Sequence, residues 1–401
     1  MAFKGKLRAR DGLFCPGVGL FAPLGFAGGT VKHNTRQRKN MKFSKPDALC
    51  LALAVIVAMT GAACRDPAAK GDAANTSAAS QARTFSEKAV AVWERMLGAE
   101  SLDTAIRYNN EGIRYHDQGN YPKALELHQK SLAIYEKILG QEHPDTANSY
   151  NNIGTVYKAQ GDYAQALEFH EKALAIKEKV LGKEHPDTAN SYNNIGLVYD
   201  AQDECARALE FHQKAVAIWE KTVGKEDPLT ATGYNNIGLA YDGVGDAYEA
   251  LKFYQKSLAI REKALGKEHP DTGATYNNIA ALYDEEGDYA KALEFHEKAV
   301  AVWEKALGKE HPNTAASYNN IAFVYEALGK DEEALASRLK AYTIWLDTLG
   351  AEHPHTKNVL RSLQRSYEES GQPQPFDEWL RGAVTTPALG ANASPLHTGG
   401  E

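Results

Sequence analysis

A repeated segment of 42 residues dominates this sequence. Residues 146–187 read TANSYNNIGTVYKAQGDYAQALEFHEKALAIKEKVLGKEHPD, and similar segments begin at threonines spaced 42 residues apart. These threonines are Thr104, Thr146, Thr188, Thr230, Thr272 and Thr314. A fixed period of roughly 20 to 50 residues is typical of proteins that stack copies of one supersecondary unit. Most of the chain is therefore predicted to form a linear array rather than separate globular domains.

Each unit contains the pattern of two helices. The first is indicated by an apolar stripe at helical spacing, formed by Tyr150, Ile153, Gly154 and Tyr157. A turn at Gly161 separates it from a second apolar helix, which is predicted to run to about Leu181. Gly182 is expected to end that helix, and Pro186 to occupy the first position of the next one. A hairpin of this kind cannot bury both of its faces alone, so the copies must stack.

These residues carry a family resemblance. The stripe from Tyr150 to Tyr157, together with Gly161, Ala166 and Ala173, resembles the tetratricopeptide repeat. The phrases YNNIG, GDYAQALE and LGKEHPD are similar to the repeats of kinesin light chains. The resemblance spans roughly residues 85–380. It implies an all-α fold, a right-handed superhelical solenoid of antiparallel helix hairpins whose partners are proteins or peptides.

The repeats also set the predicted boundaries of the chain. We predict an unstructured extension at 1–40, a signal peptide at 41–63, a flexible tether at 64–84, a solenoid at 85–382 and a disordered tail at 383–401. The solenoid is divided into a half repeat 85–103, repeats 104–145, 146–187, 188–229, 230–271, 272–313 and 314–355, and a degenerate cap 356–382. Atypical terminal units are expected where a solenoid meets solvent.

Residues 41–63 have the parts of an export signal. Lys42 and Lys45 precede an apolar run, ALCLALAVIVAM at 48–59, and small residues then lead to Cys64. The run is shorter than the ~20 apolar residues that a spanning helix needs. Small residues ending in cysteine resemble the lipobox of bacterial lipoproteins, which implies that Cys64 is lipidated. The alternative is a plain secretory signal that is cleaved after its small residues, with Cys64 unmodified.

The location of the protein follows from the start of the chain. The lipobox resemblance implies a lipid-anchored protein of the bacterial envelope, whose translation starts at Met41. Arg65, in place of an aspartate after the cysteine, favours the outer membrane and a periplasmic position by the same resemblance. Two alternatives remain. Without lipidation the protein is secreted or soluble in the periplasm, and with a start at Met1 and no export it is cytoplasmic.

An asparagine pair recurs in the first helix of every full repeat. The pairs are Asn109-Asn110, Asn151-Asn152, Asn193-Asn194, Asn235-Asn236, Asn277-Asn278 and Asn319-Asn320. Asparagine has low helix propensity, so a pair conserved in six copies of one chain must serve another purpose. Its amide can donate to and accept from a peptide backbone whatever the sequence of the peptide. The resemblance implies that all but Asn109 line a concave peptide-binding groove. The alternative is a structural ladder that links neighbouring repeats, and the two roles can coexist.

Two further positions on the same side of the first helix complete this predicted groove. Leu197 and Leu239 occupy the first position, and Asp200 and Asp242 occupy the second, one turn further along. The groove is therefore expected to be apolar in the middle, with an acidic edge from the third repeat onward. Kinesin light chains present basic residues there to bind acidic peptides. Because this chain departs from that pattern, we predict a ligand with apolar anchors and a neutral or basic flank.

Histidine and tryptophan also recur at fixed positions of the second helix. His128, His170, His212 and His296 share one position, but they lie in successive hairpins, too far apart to hold one zinc ion. They are predicted to pack in the core, with no metal and no cofactor. Trp219, Trp303 and Trp345 share another position with Lys177 and Arg261. The presence of both tryptophan and lysine predicts that this position is partly exposed.

The sequence contains no pattern that indicates catalysis. It has no Gly-rich phosphate loop, nucleophile elbow, CxxC or HExxH motif, and we predict that the protein is not an enzyme. A net charge of −7 argues against nucleic acid as the main partner. The expected function is an interaction scaffold that binds a peptide segment of a partner protein in the groove. The alternative is a structural or assembly subunit of an envelope complex that uses the ends or convex face of the solenoid.

Overall fold

A computed structural model describes residue 98 and residues 100–385 of the chain. The predicted extension, signal peptide and tether, including Cys64, lie outside these residues. Most of the half repeat 85–103 and of the tail 383–401 also lies outside them.

The described residues form fourteen helices joined by short turns, and they contain no strand. In chain order the helices are α1 Leu102–Asp117, α2 Tyr121–Leu139, α3 Pro144–Ala159, α4 Tyr163–Val180, α5 Pro186–Ala201, α6 Cys205–Thr222, α7 Pro228–Gly243, α8 Ala247–Ala264, α9 Pro270–Glu285, α10 Tyr289–Ala306, α11 Pro312–Ala327, α12 Asp331–Leu349, α13 Pro354–Glu369 and α14 Phe376–Thr385. The all-α solenoid of helix hairpins is therefore confirmed.

From the second hairpin onward, the first helix of a hairpin begins at a proline preceded by a capping side chain. Pro186 occupies the first turn of α5, as expected, and His185 Nδ1 accepts a hydrogen bond from the Asp187 backbone N–H at 3.1 Å. In the repeat that lacks the histidine, Asp227 Oδ1 accepts from Leu229 N at 2.8 Å. The loop residue before the proline is therefore an N-cap, which satisfies a backbone donor that the helix leaves free.

Glycine at positive φ ends the second helix and forms the turn within each hairpin. Gly182, at φ 92°, follows the end of α4, as predicted. Gly161 forms the inner turn of its repeat at φ 80°, and the equivalent residue of the next repeat is Asp203 at φ 59°. Aspartate tolerates the left-handed region better than most residues, so the turn keeps its shape without glycine.

Alanine and isoleucine side chains fill the space within and between the hairpins. Ile153, Ala166 and Ala173 are fully buried, and the Phe169 ring stacks on Tyr157 with 5.5 Å between ring centroids. The first helices of successive hairpins approach one another more closely than the second helices do. The first helices therefore lie on the inner, concave side of the array. Among the described helices, none is both long and apolar enough to cross a membrane.

Candidate functional site

The asparagine pairs form hydrogen bonds between neighbouring repeats on the inner helices. The second asparagine of one repeat donates to the first asparagine of the preceding repeat. These bonds join Asn152 to Asn109 at 2.6 Å, Asn236 to Asn193 at 3.0 Å, Asn278 to Asn235 at 3.2 Å and Asn320 to Asn277 at 3.3 Å. Four of the asparagines, Asn151, Asn193, Asn236 and Asn319, are buried. The ladder foreseen as the alternative role is thus present, and contact with a peptide stays a prediction.

The ladder is interrupted between the second and third repeats. There Asn151 Nδ2 donates to Ser191 Oγ at 3.1 Å, and Asn194 makes no hydrogen bond within the described part of the chain. Asn110, on the first inner helix, is exposed. Asn194 and Asn110 are therefore the two asparagines whose amides can reach a ligand without breaking a bond between repeats.

The histidine row lies in the core, directly behind the asparagine row. The side chains of His128, His170, His212 and His296 are at most 1% exposed. In the second repeat, His170 Nδ1 lies 2.9 Å from Asn151 Oδ1, and a Cβ added to Gly154 would meet the His170 ring at 2.9 Å. The small residue on the inner helix is thus required by the ring behind it. Where Ala280 replaces that glycine, His296 Nδ1 has no hydrogen-bond partner within the described residues.

Burial keeps three of these imidazoles, those of His128, His170 and His296, in the neutral form. It lowers the pKa of His128 to about 4 and the pKa of His170 and His296 to about 3. No group of three His, Cys, Asp or Glu side chains within the described range could hold a metal ion.

The apolar part of the predicted groove lies on two neighbouring inner helices. Leu197 on α5 and Leu239 on α7 are both half-buried, so each retains surface that a ligand could cover. The acidic residues Asp200 and Asp242 lie one turn further along the same two helices.

The acidic residues that follow the leucines on the inner helices form a row that faces the histidine row. Each acidic residue comes twelve positions before its partner in the sequence. In the third repeat, His212 Nε2 lies 2.8 Å from Asp200 Oδ2. In the sixth repeat, the equivalent pair is Glu326 and Arg338. The Arg338 side chain is fully buried, and its Nη2 donates a hydrogen bond to Glu326 Oε2 at 2.6 Å. In these two copies the carboxylate on the inner helix is hydrogen-bonded by the side chain behind it, and in the sixth repeat that side chain is a cation.

The fourth repeat departs from this arrangement. Its pair is Asp242 and Tyr254, and the Tyr254 ring is fully buried against Gly238. Tyr254 Oη has no hydrogen-bond partner among the described residues, and the Asp242 carboxylate makes no hydrogen bond or ion pair there either. Burial, with a contribution from Glu285, raises the pKa of Asp242 to about 7. Neither Tyr254 nor Glu285 was predicted as a site residue from the sequence, although the spacing of twelve residues would have shown the unmatched pair.

The second repeat carries the opposite charge at this position. Burial lowers the pKa of Lys158 to about 8, and the carboxylate of Asp200 acts in the opposite direction. Along the inner face the row thus changes from basic in the second repeat to acidic in the third and later repeats.

The prediction that the tryptophan position is partly exposed is wrong. Trp219 and Trp303 are 1% and 2% exposed, and Lys177 is only 3% exposed. Arg261, also buried, donates from Nη1 to the Asp271 carbonyl at 2.8 Å and from Nη2 to Thr232 Oγ1 at 3.1 Å. The position lies between successive hairpins, where the long stems of lysine and arginine fill the same space as an indole ring.

Comparison with solved structures returned helical repeat proteins. BtubC (BKLC) from P. vanneervenii is 23% identical and covers 63% of this chain and 92% of its own, with a TM-score of 0.46. A protein of Podosopora anserina assigned as a kinesin light chain, with nearly identical TPR-like repeats, is 31% identical and covers 52% of this chain and 98% of its own, with a TM-score of 0.44. Pseudomonas aeruginosa pilF is 19% identical and covers 65% of this chain and 99% of its own, with a TM-score of 0.41. Comparison with curated protein sequences gave no significant match.

The sequence model of the tetratricopeptide repeat matches seven overlapping segments. They are residues 79–137, 112–179, 145–221, 203–263, 229–305, 285–337 and 316–375. Together they cover well over half of the chain, including every complete repeat predicted from the 42-residue period. Repeats of this kind are typical of protein–protein interaction, and no enzyme family is indicated. The chain belongs to the tetratricopeptide repeat family.

Proposed function

We propose that this protein is a non-catalytic scaffold that binds an extended peptide segment of a partner protein along the inner face of its repeats. The observation that carries the proposal is the combination of half-buried Leu197 and Leu239 with the unbonded amide of Asn194 on the same inner surface. The leucines supply apolar contact, and the amide can hold a peptide main chain by donating and accepting at once.

The setting we propose is the bacterial envelope, with the solenoid held by a lipid on Cys64. The support is in the sequence: a charged start at Lys42 and Lys45, an apolar run at 48–59 and small residues before the cysteine. Intact mass of the mature protein tests this setting. A lipid adduct on a chain that begins at Cys64 is expected, whereas a chain beginning at Met1 would contradict it.

The test of the groove separates contact with a ligand from support of the ladder. Asn194→Ala removes an amide that bonds no other repeat, whereas Asn236→Ala removes a ladder bond of 3.0 Å. We expect Asn194→Ala to weaken peptide binding and leave the free energy of unfolding nearly unchanged. We expect Asn236→Ala to lower that free energy by about 1 kcal/mol, the usual value of one such hydrogen bond.

Binding is measured by fluorescence polarisation with short labelled peptides that carry one apolar anchor and vary elsewhere. Peptides that bind the wild-type chain and the Asn194→Ala variant with equal affinity would exclude the inner face as the working surface. The function would then move to the ends or convex face of the solenoid, as expected for an assembly subunit.

A further inference from the structure

On the inner face of the fourth repeat, Asp242 and Tyr254 form an acidic site with the neighbouring Asp200 and Glu285, which we call the recess, and no side chain of the repeat hydrogen-bonds Asp242. Asp242 stands where Asp200 and Glu326 stand in the third and sixth repeats. Those two carboxylates bond His212 and Arg338, respectively. Asp242 has no such partner within the described range, because the residue behind it is Tyr254.

The tyrosine hydroxyl gives this recess a polar group that is itself unsatisfied. Tyr254 is 0% exposed, and its Oη lacks a hydrogen-bond partner among the described side chains and backbone. The carboxylates of Asp242, Asp200 and Glu285 all raise the pKa of this phenol, after burial as the main cause, so the hydroxyl lies towards them. A buried polar group without a partner destabilises the fold, and a ligand atom that bonds this hydroxyl would remove that cost.

Asp200 adds a second free acceptor on the neighbouring helix. Its Oδ2 is 2.8 Å from His212 Nε2, but its Oδ1 is buried and has no partner in the described part of the chain. The recess therefore presents an unpaired carboxylate, a spare carboxylate oxygen and a phenol, with Glu285 on the next inner helix.

We propose that this recess binds the ammonium or guanidinium group of a lysine or arginine in the peptide that lies along the inner face. The inference rests on the proposed function and specifies the chemistry of the ligand. The sixth repeat supplies the internal precedent, since Arg338 places a guanidinium beside Glu326 from the position that Tyr254 occupies here. In the fourth repeat the cation comes from the ligand instead of the chain.

A side-chain cation fits the recess better than a metal ion does. The groups that form it are a phenol and carboxylates on separate helices, and the described residues contain no cluster of three metal-ligating side chains. Lysine and arginine carry several N–H donors on a flexible stem, and these match scattered acceptors.

The first test compares peptides that differ at one central residue. Labelled peptides with an apolar anchor and a central lysine, arginine, norleucine or glutamate are titrated with the full chain at about pH 8. We expect lysine and arginine to bind about tenfold tighter than norleucine, the effect of one charge-assisted hydrogen bond, and glutamate to bind weakest.

Two variants locate the preference, and a third controls for net charge. Asp242→Asn removes the charge, and Tyr254→His supplies an internal partner that copies the Asp200–His212 pair beside an existing glycine, Gly238. Both are expected to abolish the preference for lysine. Glu171→Gln changes the net charge equally on an exposed face, where the equivalent residues of the next two repeats are Gln213 and Gln255, and is expected to keep the preference.

Affinity for the lysine peptide is also expected to depend on pH. A ligand cation favours the ionised carboxylate, and the pKa of Asp242 is raised to about 7, so affinity rises with pH through that value. We expect binding about tenfold weaker at pH 6 than at pH 8, with the dependence lost in Asp242→Asn. The ionisable groups that interact with Asp242 are Glu285, Tyr254 and Cys205. Asp284 acts on Glu285, and Asp200 belongs to the same surroundings with its neighbours His212 and Lys158.

The outcomes separate this inference from the function on which it rests. Equal binding of lysine and norleucine peptides, with loss of both in Asn194→Ala, would keep the groove and overturn the recess. A lysine preference that survives in both Asp242→Asn and Tyr254→His would overturn it as well. If none of the peptides binds, the proposed peptide scaffold itself is wrong. Displacement of the lysine peptide by millimolar calcium, but not by potassium, would assign the recess to a divalent cation instead.

Discussion

Lys177 lies at a buried position between two hairpins, and its replacement is predicted to stabilise the protein. The side chain is 3% exposed, and its ammonium makes no hydrogen bond within the residues that the structure describes. Burial lowers the pKa of Lys177 to about 8, although the carboxylates of Asp187 and Asp145 act in the opposite direction. Lys177→Met keeps a flexible stem of similar length and removes the charge.

The magnitude follows from the difference between the folded and unfolded pKa. The ordinary value is 10.5 and the folded value is about 8. At pH 7 the unfolded chain holds the proton more tightly, which lowers the free energy of unfolding by roughly 3 kcal/mol. Because the folded pKa is the lower of the two, stability is expected to rise between about pH 8 and pH 10.5 as the folded lysine loses its proton first. Lys177→Met should raise the free energy of unfolding by up to roughly 3 kcal/mol at neutral pH. It should also reduce the increase in stability between about pH 8 and pH 10.5.

Urea unfolding followed by circular dichroism at about pH 7 and pH 9 measures both effects, with the upper pH about one unit below the ordinary pKa of tyrosine. Part of the increase in stability with pH is expected to persist in the variant, because the pKa of Lys158 is also lowered to about 8. Lys183→Met, on an exposed loop, is the matched control and should change neither quantity. A Lys177→Met protein that is less stable than wild type at pH 7, with an unchanged pH dependence, would refute the argument from burial.

Two further predictions concern the histidine row. Gly196→Ala places a Cβ 2.6 Å from the His212 ring. We expect this overpacking to lower the free energy of unfolding by about 1 to 3 kcal/mol. That loss exceeds the roughly 1 kcal/mol gained in helix propensity. Urea unfolding checks this, and a stabilised variant would contradict the packing argument. Burial lowers the pKa values of His128, His170 and His296, so the unfolded chain binds protons first as the pH falls below about 6.5. Each of these histidines is expected to lower the free energy of unfolding by about 1.4 kcal/mol per pH unit, down to its folded pKa. Unfolding measured at pH 7 and pH 5 tests this, and equal stability at the two values would show that the rings are not held neutral.

The repeat architecture could be predicted because each copy carries its own start and stop residues. Pro186 and Gly182 have local backbone requirements that do not depend on the rest of the fold, and the structure places both where they were expected. The burial of Lys177 could not be predicted in the same way. Residue type suggested exposure, but the next hairpin covers the position, and only the packed array shows that.

The capping role of His185 was missed for a related reason. The sequence marked the start of the helix at Pro186, but only the structure shows that the ring nitrogen of His185 accepts a hydrogen bond from a backbone N–H two residues later. Asp227, which replaces histidine in one copy and makes the same bond, was the sequence feature that could have identified the cap.

The differences between copies, rather than their sameness, determine what the inner face can recognise. Small residues on the inner helix accommodate the ring behind them in both copies, with Gly196 beside His212 and Gly238 beside Tyr254. Charge is not balanced in the same way: Asp200 is paired within its copy and Asp242 is not. Packing would also accept a histidine behind Asp242, because a histidine lies beside a glycine at Gly196 and beside an alanine at Ala280. Tyr254 therefore leaves the Asp242 carboxylate without the hydrogen-bond partner that a histidine at this position would supply. This is why we propose that a ligand supplies a cation in the fourth repeat.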